Sequence, residues 1–384
     1  MKNTVFRILP LAPLLVLLGL AGCGEKIALP QARGLFSVAA YVDAGRFAVD
    51  APRGLKVLQG GVFLLQTTTL SKLDQGLNAL ENVPPVSGFS DATALCGDTD
   101  LGVVFVFDRA GAGLSWYNLA DLAPLGSAPL PEVLSAAAMV TNDRGIELAP
   151  GGDTFLYISD PDSAVVHRYA FDPTGGPVPF GILTRSGGAS ARFVHVPAGL
   201  ANDREGHMVV SDADTLRNWV IRFDPTPDLS DVTPDPADVD PRRGLVTEFR
   251  QIVCDPLPTA AYVLGDAPEC GESDWQGGPS DALGEMHKPQ GVAVDGSGRV
   301  FVADSMNNRI QVFSEGLYDI SFIINSEAAS VPGDMALVDK IISPSETYFA
   351  AYVFVVLPDE NLVRKFMSYE EQLRINPDAP PPPE

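Results

Sequence analysis

From His287 to Phe313 the chain reads HKPQGVAVDGSGRVFVADSMNNRIQVF, with short apolar runs set between polar turns. Gly291 to Asp295 is a first strand with its exit. Gly296, Ser297 and Gly298 supply a turn in which positive φ costs little. Val300 to Ala303 forms a second, mostly apolar strand. Asp304 to Asn308 turns again, with Asp and Asn side chains able to bond the local backbone. Ile310 to Phe313 alternates, as a half-exposed strand does.

The same pattern recurs along the chain. His195 to Leu200 (HVPAGL) repeats His287 to Val292 (HKPQGV) and continues to Phe223. Weaker copies run from Pro52 to Leu73, Leu101 to Leu119, Arg144 to Phe171 and Pro332 to Phe366. Units of this kind cannot bury their faces alone and must stack. Their motif resembles the NHL repeat, and that resemblance implies an all-β fold, a β-propeller, over residues 34–367. Six copies imply six blades. A seventh is the alternative, should residues 225–286 hide a degenerate blade. The last copy lacks a fourth strand, and Gly34 to Val42 is a strand without a blade. It is expected to complete the last blade and close the ring.

The ends read differently. Lys2 and Arg7 precede an apolar run from Ile8 to Leu20, too short to span a bilayer. Leu20-Ala21-Gly22-Cys23 resembles a bacterial lipobox, so residues 1–22 are expected to be a signal peptide and Cys23 a lipidated residue opening a tether, 23–33. Gly24, rather than aspartate, favours sorting to the outer membrane by the family rule. Residues 368–384 form a proline-rich tail, extended at least from Asn376.

Composition narrows the partners. The chain carries 36 Gly and 33 Pro among 384 residues, too many helix breakers for a long-helix protein. A net charge of −23 argues against nucleic acid and anionic lipid, which need a basic face. The stretch 225–286 opens with an acidic, proline-rich loop. Asp228, Asp231, Asp235, Asp238 and Asp240 could offer oxygens to calcium, but they lack EF-hand spacing and read better as a solvated loop. Cys254 and Cys270 flank a short segment in the same insertion, and export makes a disulfide between them plausible. Cys96 reads as a small buried residue, its pairing left open.

Candidate chemistry is sparse. The chain shows no GxSxG, HExxH, P-loop, CxxC or strand-linked GxGxxG, and no catalytic residue is nominated. His195 and His287 share one repeat position at the start of a first strand, where both rings could face a central channel. Peptidyl-amidating lyases, related propellers, hold zinc on histidines near their axis, and by that resemblance His195 and His287 are metal candidates. Zinc normally takes three nitrogen ligands, and the matching positions read as Asp50, Thr141 and Ser330. The competing role is structural. Asp160, Asp212 and Asp304 also recur, either as a cation-binding ring or as turn caps; capping explains the repetition better.

The expected function is a lipid-anchored scaffold of the bacterial cell envelope, a monomeric propeller that binds a protein or glycan, preferably basic, without catalysis. No cofactor is expected. The alternative is a propeller enzyme, a lyase or lactone hydrolase, with a divalent metal, zinc or calcium, in its channel.

Overall fold

Strands of five to eight residues cannot each bury two faces in isolation, so these pair and then stack. The computed structural model describes residues 41–379 except 145, 147–150, 184–193, 204, 215–217, 224–262, 265–280, 282, 284, 315–316, 325–329 and 343–346. Among the described residues, 24 strands form six four-stranded antiparallel sheets.

The chain enters through β1 (Tyr41–Ala48). Blade one then contains β2 (Pro52–Leu58), β3 (Gly61–Gln66), β4 (Thr69–Leu73) and β5 (Val86–Ser87), and blade two β6 (Ala92–Asp98), β7 (Val103–Asp108), β8 (Gly113–Asn118) and β9 (Pro124–Pro129). Blade three holds β10 (Ala138–Asn142), β11 (Thr154–Asp160), β12 (Val165–Asp172) and β13 (Gly176–Leu183); blade four β14 (Pro197–Asn202), β15 (Met208–Asp212), β16 (Trp219–Phe223) and β17 (Val263–Leu264). Blade five is β18 (Pro289–Val294), β19 (Val300–Asp304), β20 (Arg309–Ser314) and β21 (Leu317–Ile323), and blade six β22 (Met335–Ile342), β23 (Thr347–Leu357) and β24 (Leu362–Ser368). The sixth sheet has the order β1-β24-β23-β22, so β1 is its fourth strand.

The first strands β2, β6, β10, β14, β18 and β22 touch in sequence, and β22 touches β2. That contact makes a six-bladed ring. Six apolar clusters fill the six blade interfaces. Between blades two and three, for example, Phe105 and Trp116 meet Phe171 edge-on, at 4.7 and 5.3 Å between ring centres.

The repeat glycines have a steric reason. A Cβ on Gly291 would lie 2.5 Å from the Gly333 carbonyl oxygen of blade six, and one on Gly199 2.4 Å from the Gln290 carbonyl oxygen of blade five. The Gly291 N–H donates to that Gly333 oxygen at 2.7 Å. The backbones of adjacent blades meet where the pattern places glycine.

Three strand assignments need correction. The closing strand runs on to Ala48, beyond the expected end at Val42, and is described from Tyr41; residues 34–40 of the expected Gly34 to Val42 lie outside the described set. Its register with β24, Tyr41 opposite Ser368 and Ala48 opposite Leu362 with a bulge at Asp43/Gly45, fixes the position. Blade three begins at Ala138, not Arg144. Asn142 Oδ1 accepts the Arg144 N–H at 2.9 Å and turns the chain there. The outer strand of blade four, expected at Leu245 to Val253, is Val263–Leu264, against Ile221 and Val220; residues 245–253 lie outside the described set.

The chain leaves blade six as a helix, α1 (Tyr369–Ile375), which ends just before the proline-rich stretch from Asn376. Ser368 caps it by accepting the Glu371 N–H. The Tyr369 hydroxyl donates to the Ala379 carbonyl at 3.2 Å, holding the chain that far. The Glu371 carboxylate is fully buried and accepts bonds from Lys340 at 2.5 Å, Tyr352 at 3.0 Å and Arg374 at 2.7 Å. The Arg374 hydrogen bonds, helped by Lys340 and Tyr352 against the effect of burial, hold this carboxyl down at about 2. A carboxyl lowered by folding contributes stability above its ordinary value of 4.5, and loses it as pH falls toward 2. The melting temperature of the wild type should therefore fall more steeply between pH 4.5 and 2 than that of Glu371→Gln. Equal slopes in thermal melts across that range would contradict this.

Candidate functional site

Four aspartates end second strands in consecutive positions of the repeat. Asp108 accepts the N–H groups of Ser90 and Asp91, Asp160 those of Leu134 and Ser135, and Asp212 those of His195 and Val196. Asp304 accepts the His287 N–H at 2.7 Å. Each carboxylate thus clamps the entry to its own blade's first strand as well as its own turn. Asp160, Asp212 and Asp304 are fully buried. Burial would raise the Asp160 carboxyl, but hydrogen bonds from His167, Leu134 and Ser163 override it and hold it at about 2. These oxygens are committed to the fold, which corrects the cation-ring alternative and widens the turn-cap one.

The clamp also aligns the blades. The position of His195 and His287 is Ser90 in blade two and Leu134 in blade three, so Thr141 was misaligned. The strand pairings Pro52–Gln66 and Pro197–Asp212 keep Asp50 at the equivalent place in blade one. His195 is partly exposed, with Nδ1 3.6 Å from Asp214. Among the described residues, neither His195 nor His287 belongs to a group of three converging metal-ligating side chains.

Such a group exists elsewhere, and sequence reasoning missed it. Asp203, Glu205 and His207, in the turn between β14 and β15, bring one ligand atom each within 4.8 Å of one another. Asp203 Oδ1 accepts the N–H groups of Glu205 and His207, at 2.8 and 2.9 Å, which curls the turn around the carboxylate. A cation already sits among them. Arg222 of β16 donates from Nε to Asp203 at 2.7 Å and from Nη2 to Glu205 at 2.9 Å, and lies 2.6 Å from His207 Nδ1. Burial opposes ionisation of Asp203, yet His207 and Arg222 hold its carboxyl at about 2. The residue types suit a divalent metal, while the guanidinium neutralises them in the observed arrangement. The sequence hint was faint: D-x-E-x-H alternates in one short turn, and its partner lies a strand away.

This cluster borders a cavity of about 550 Å³. Four blades contribute: Leu58 ends β2, Gly97 to Leu101 turn from β6 to β7, Thr141 to Arg144 with Asp153 and Thr154 connect β10 to β11, and Asn202 to Gly206 leave β14. It therefore opens at the ends of the innermost strands, at one mouth of the ring. Among the described residues, Asp98, Asp100, Asp143, Asp153, Asp203, Glu205 and Arg144 are the charged side chains that line it.

Cys23, Cys254 and Cys270 lie outside the described residues, and so does most of the insertion 225–286. Cys96 is buried and free, and burial pushes its thiol pKa up.

Residues 286–313 match the NHL repeat model. No curated protein matches the chain. Among solved structures, virginiamycin B lyase from Staphylococcus aureus is 11% identical, with 84% of this chain and 98% of that one covered at a TM-score of 0.45. Hydrazine synthase of Kuenenia stuttgartiensis is 10% identical, with 86% and 99% covered at 0.49. The PQQ-bound aldose sugar dehydrogenase of Streptomyces coelicolor is 12% identical, with 86% and 98% covered at 0.49. Likeness this remote says nothing of activity. Six closed blades make this chain a six-bladed β-propeller, and the segment that forms most of its fifth blade is similar to the NHL repeat.

Proposed function

We propose that the protein is a lipid-anchored propeller of the bacterial cell envelope that works as a non-enzymatic interaction module for a basic protein partner. The observation that carries this reading is the cavity at one mouth of the ring, whose lining holds six carboxylates and one arginine among the described residues. Connecting turns on a rigid scaffold are common places for recognition, and an acidic mouth favours a basic partner in both encounter and orientation. The clamp aspartates are spent on backbone and side-chain hydrogen bonds that hold the fold. The anchor rests on Lys2, Arg7 and the Leu20-Ala21-Gly22-Cys23 motif; two or more acyl chains suffice for stable membrane attachment.

Two measurements test it. Palmitate label should enter the wild type and be lost in Cys23→Ser, with the variant moving from the outer-membrane to the soluble fraction. In vivo crosslinking from a photoreactive residue at position 100 should give a discrete adduct with a basic envelope protein. Label retained in Cys23→Ser overturns the anchor, and the absence of any discrete adduct overturns the module.

A further inference from the structure

We propose that an apolar face at the end of blade five docks on the phospholipid bilayer that anchors Cys23. This deepens the lipid-anchor reading and rests on it.

Nine large apolar side chains are exposed among the described residues. Four of them, Leu283, Met306, Ile323 and Val331, gather where the first and third strands of blade five begin, and are 38–64% exposed. Hydrogen bonds bring them there from four segments of the chain. Arg309, at the start of β20, donates to the carbonyls of Asp281 and Glu285, each at 2.9 Å, which seats the segment carrying Leu283. Arg309 also pairs with Ile323 across β20 and β21. The Met306 N–H donates to the His287 carbonyl at 3.1 Å. Asn308 accepts the Ile324 N–H on its carbonyl at 2.9 Å and the Ser330 N–H on Oδ1 at 3.2 Å. Ser305 donates to the Pro332 carbonyl, so Val331 is held between two fixed neighbours. Leu134 of blade three, at the repeat position that His287 has in blade five, is exposed at the same end of the ring. Apolar side chains scattered singly need no explanation, but a group at one end marks an interaction surface.

The tether selects the occupant. Residues 24–40, or 40 − 23 = 17 residues, separate Cys23 from Tyr41. Fully extended they reach roughly 60 Å at most. The chain enters the fold at Tyr41, whose ring lies 5.8 Å from Phe301 and 4.9 Å from Phe322, the residue before Ile323. The anchor therefore joins the fold against the blade that carries the apolar face. Strands of five to seven residues make blade five only about 17–23 Å tall, so the tether is long enough to let either end of the ring meet the bilayer. A surface held that close is present at high effective concentration, and large apolar side chains gain by entering its interface. That gain needs no basic residue, so a chain of net charge −23 can make it on zwitterionic lipid.

Docking in this way also sets the orientation. Met306 lies in the turn after Asp304, which pairs with Pro289 at the start of β18. The acidic cavity opens at the other end of the ring, where the innermost strands finish. With blade five on the bilayer, that cavity faces the aqueous phase.

The test uses full-length lipidated protein in vesicles of phosphatidylethanolamine and phosphatidylcholine. A photoreactive residue is placed at position 306, at position 100 in the acidic mouth, or at position 125, where exposed Leu125 lies on the outer strand of blade two. Lipid adducts at 306 should exceed those at 100 and 125 about fivefold or more. Leu283→Glu/Ile323→Glu should cut the adducts at 306 about tenfold, and the control Leu125→Glu/Val178→Glu should leave them within about twofold. All four positions are exposed, and thermal melts confirm that both variants fold. Equal yields at the three positions, or an unchanged yield in the patch variant, overturn the docking. So does a discrete protein adduct at 306 in cells in place of lipid, which would give the face to a protein partner. If palmitate labels the wild type through Cys23 and the three yields are equal, the docking fails and the anchor stands. If no label enters but vesicles mixed with the protein still give lipid adducts at 306 above those at 125, the anchor fails and the lipid-binding face stands.

Discussion

Excising Tyr41–Ala48, with the residues before them retained, should make the ring self-associate. The excised strand β1 provides the fourth strand of blade six. Without it the outer edge of β24 presents a row of unpaired N–H and C=O groups, a template for pairing with another copy. Tyr41 is buried against Phe301 of blade five at 5.8 Å and Phe322 at 4.9 Å, and its hydroxyl donates to the Ala350 carbonyl at 3.0 Å. Asp43 pairs with Arg364, which is otherwise buried. The loss of one such aromatic alone costs about 3–5 kcal/mol, and the strand ladder adds to it. Size-exclusion chromatography should show oligomers, and the melting temperature should fall by roughly 10 °C or more. The milder Tyr41→Phe keeps the ring and loses one hydrogen bond, so it should elute as the wild type does and cost only about 1 kcal/mol. A monomer with unchanged melting after the excision would show that β1 does not close the ring.

That closure was foreseeable from the sequence and its position was not. The last repeat visibly lacked a fourth strand, and an apolar run preceded the first. Period-two patterning marks a strand but fixes its register only through the partner, and the partner β24 selects Tyr41–Ala48. Blade five was read almost to the residue because glycines, aspartates and asparagines bound each of its strands. Blade three was misread because Arg-Gly-Ile mimics the Pro-x-Gly entry while its true first strand, AMVTN, carries no such mark. The sequence also showed aspartates recurring after the second strands, though not the amides they bind, which come from the residues leading into the first strand. The cavity could not be read at all. It assembles turns of four blades, and none of its carboxylates is distinctive among 49 acidic residues until the ring brings them together. The Asp203–Glu205–His207 cluster was hidden for a related reason: its meaning depends on Arg222, which only strand pairing delivers.

The clamp aspartates make the second large prediction, and their surroundings rank them. Asp304 accepts bonds from the His287 N–H at 2.7 Å, Arg309 Nε at 2.7 Å, Asn307 at 2.8 Å and Gln311 at 3.0 Å, and it is fully buried. Arg309 also donates to the carbonyls of Asp281 and Glu285, each at 2.9 Å, so the carboxylate anchors the guanidinium that ties the approach to blade five. Asp304→Ala leaves a buried guanidinium without its counter-charge and a buried amide short of a partner, which should cost about 3–5 kcal/mol. Asp108 has the same repeat position but is partly exposed, and its neighbour Arg109 pairs with Asp91 instead, at 2.7 Å. Asp108→Ala frees only backbone N–H groups within reach of water and should cost about 1–2 kcal/mol. Chemical denaturation of the two variants separates these values. Asp304→Ala combined with Arg309→Met should recover part of the loss, because removing both partners removes the stranded charge. If the two alanine variants fall equally and Arg309→Met restores nothing, the clamp acts through the backbone alone, and the buried arginine contributes nothing to holding blade five in the ring.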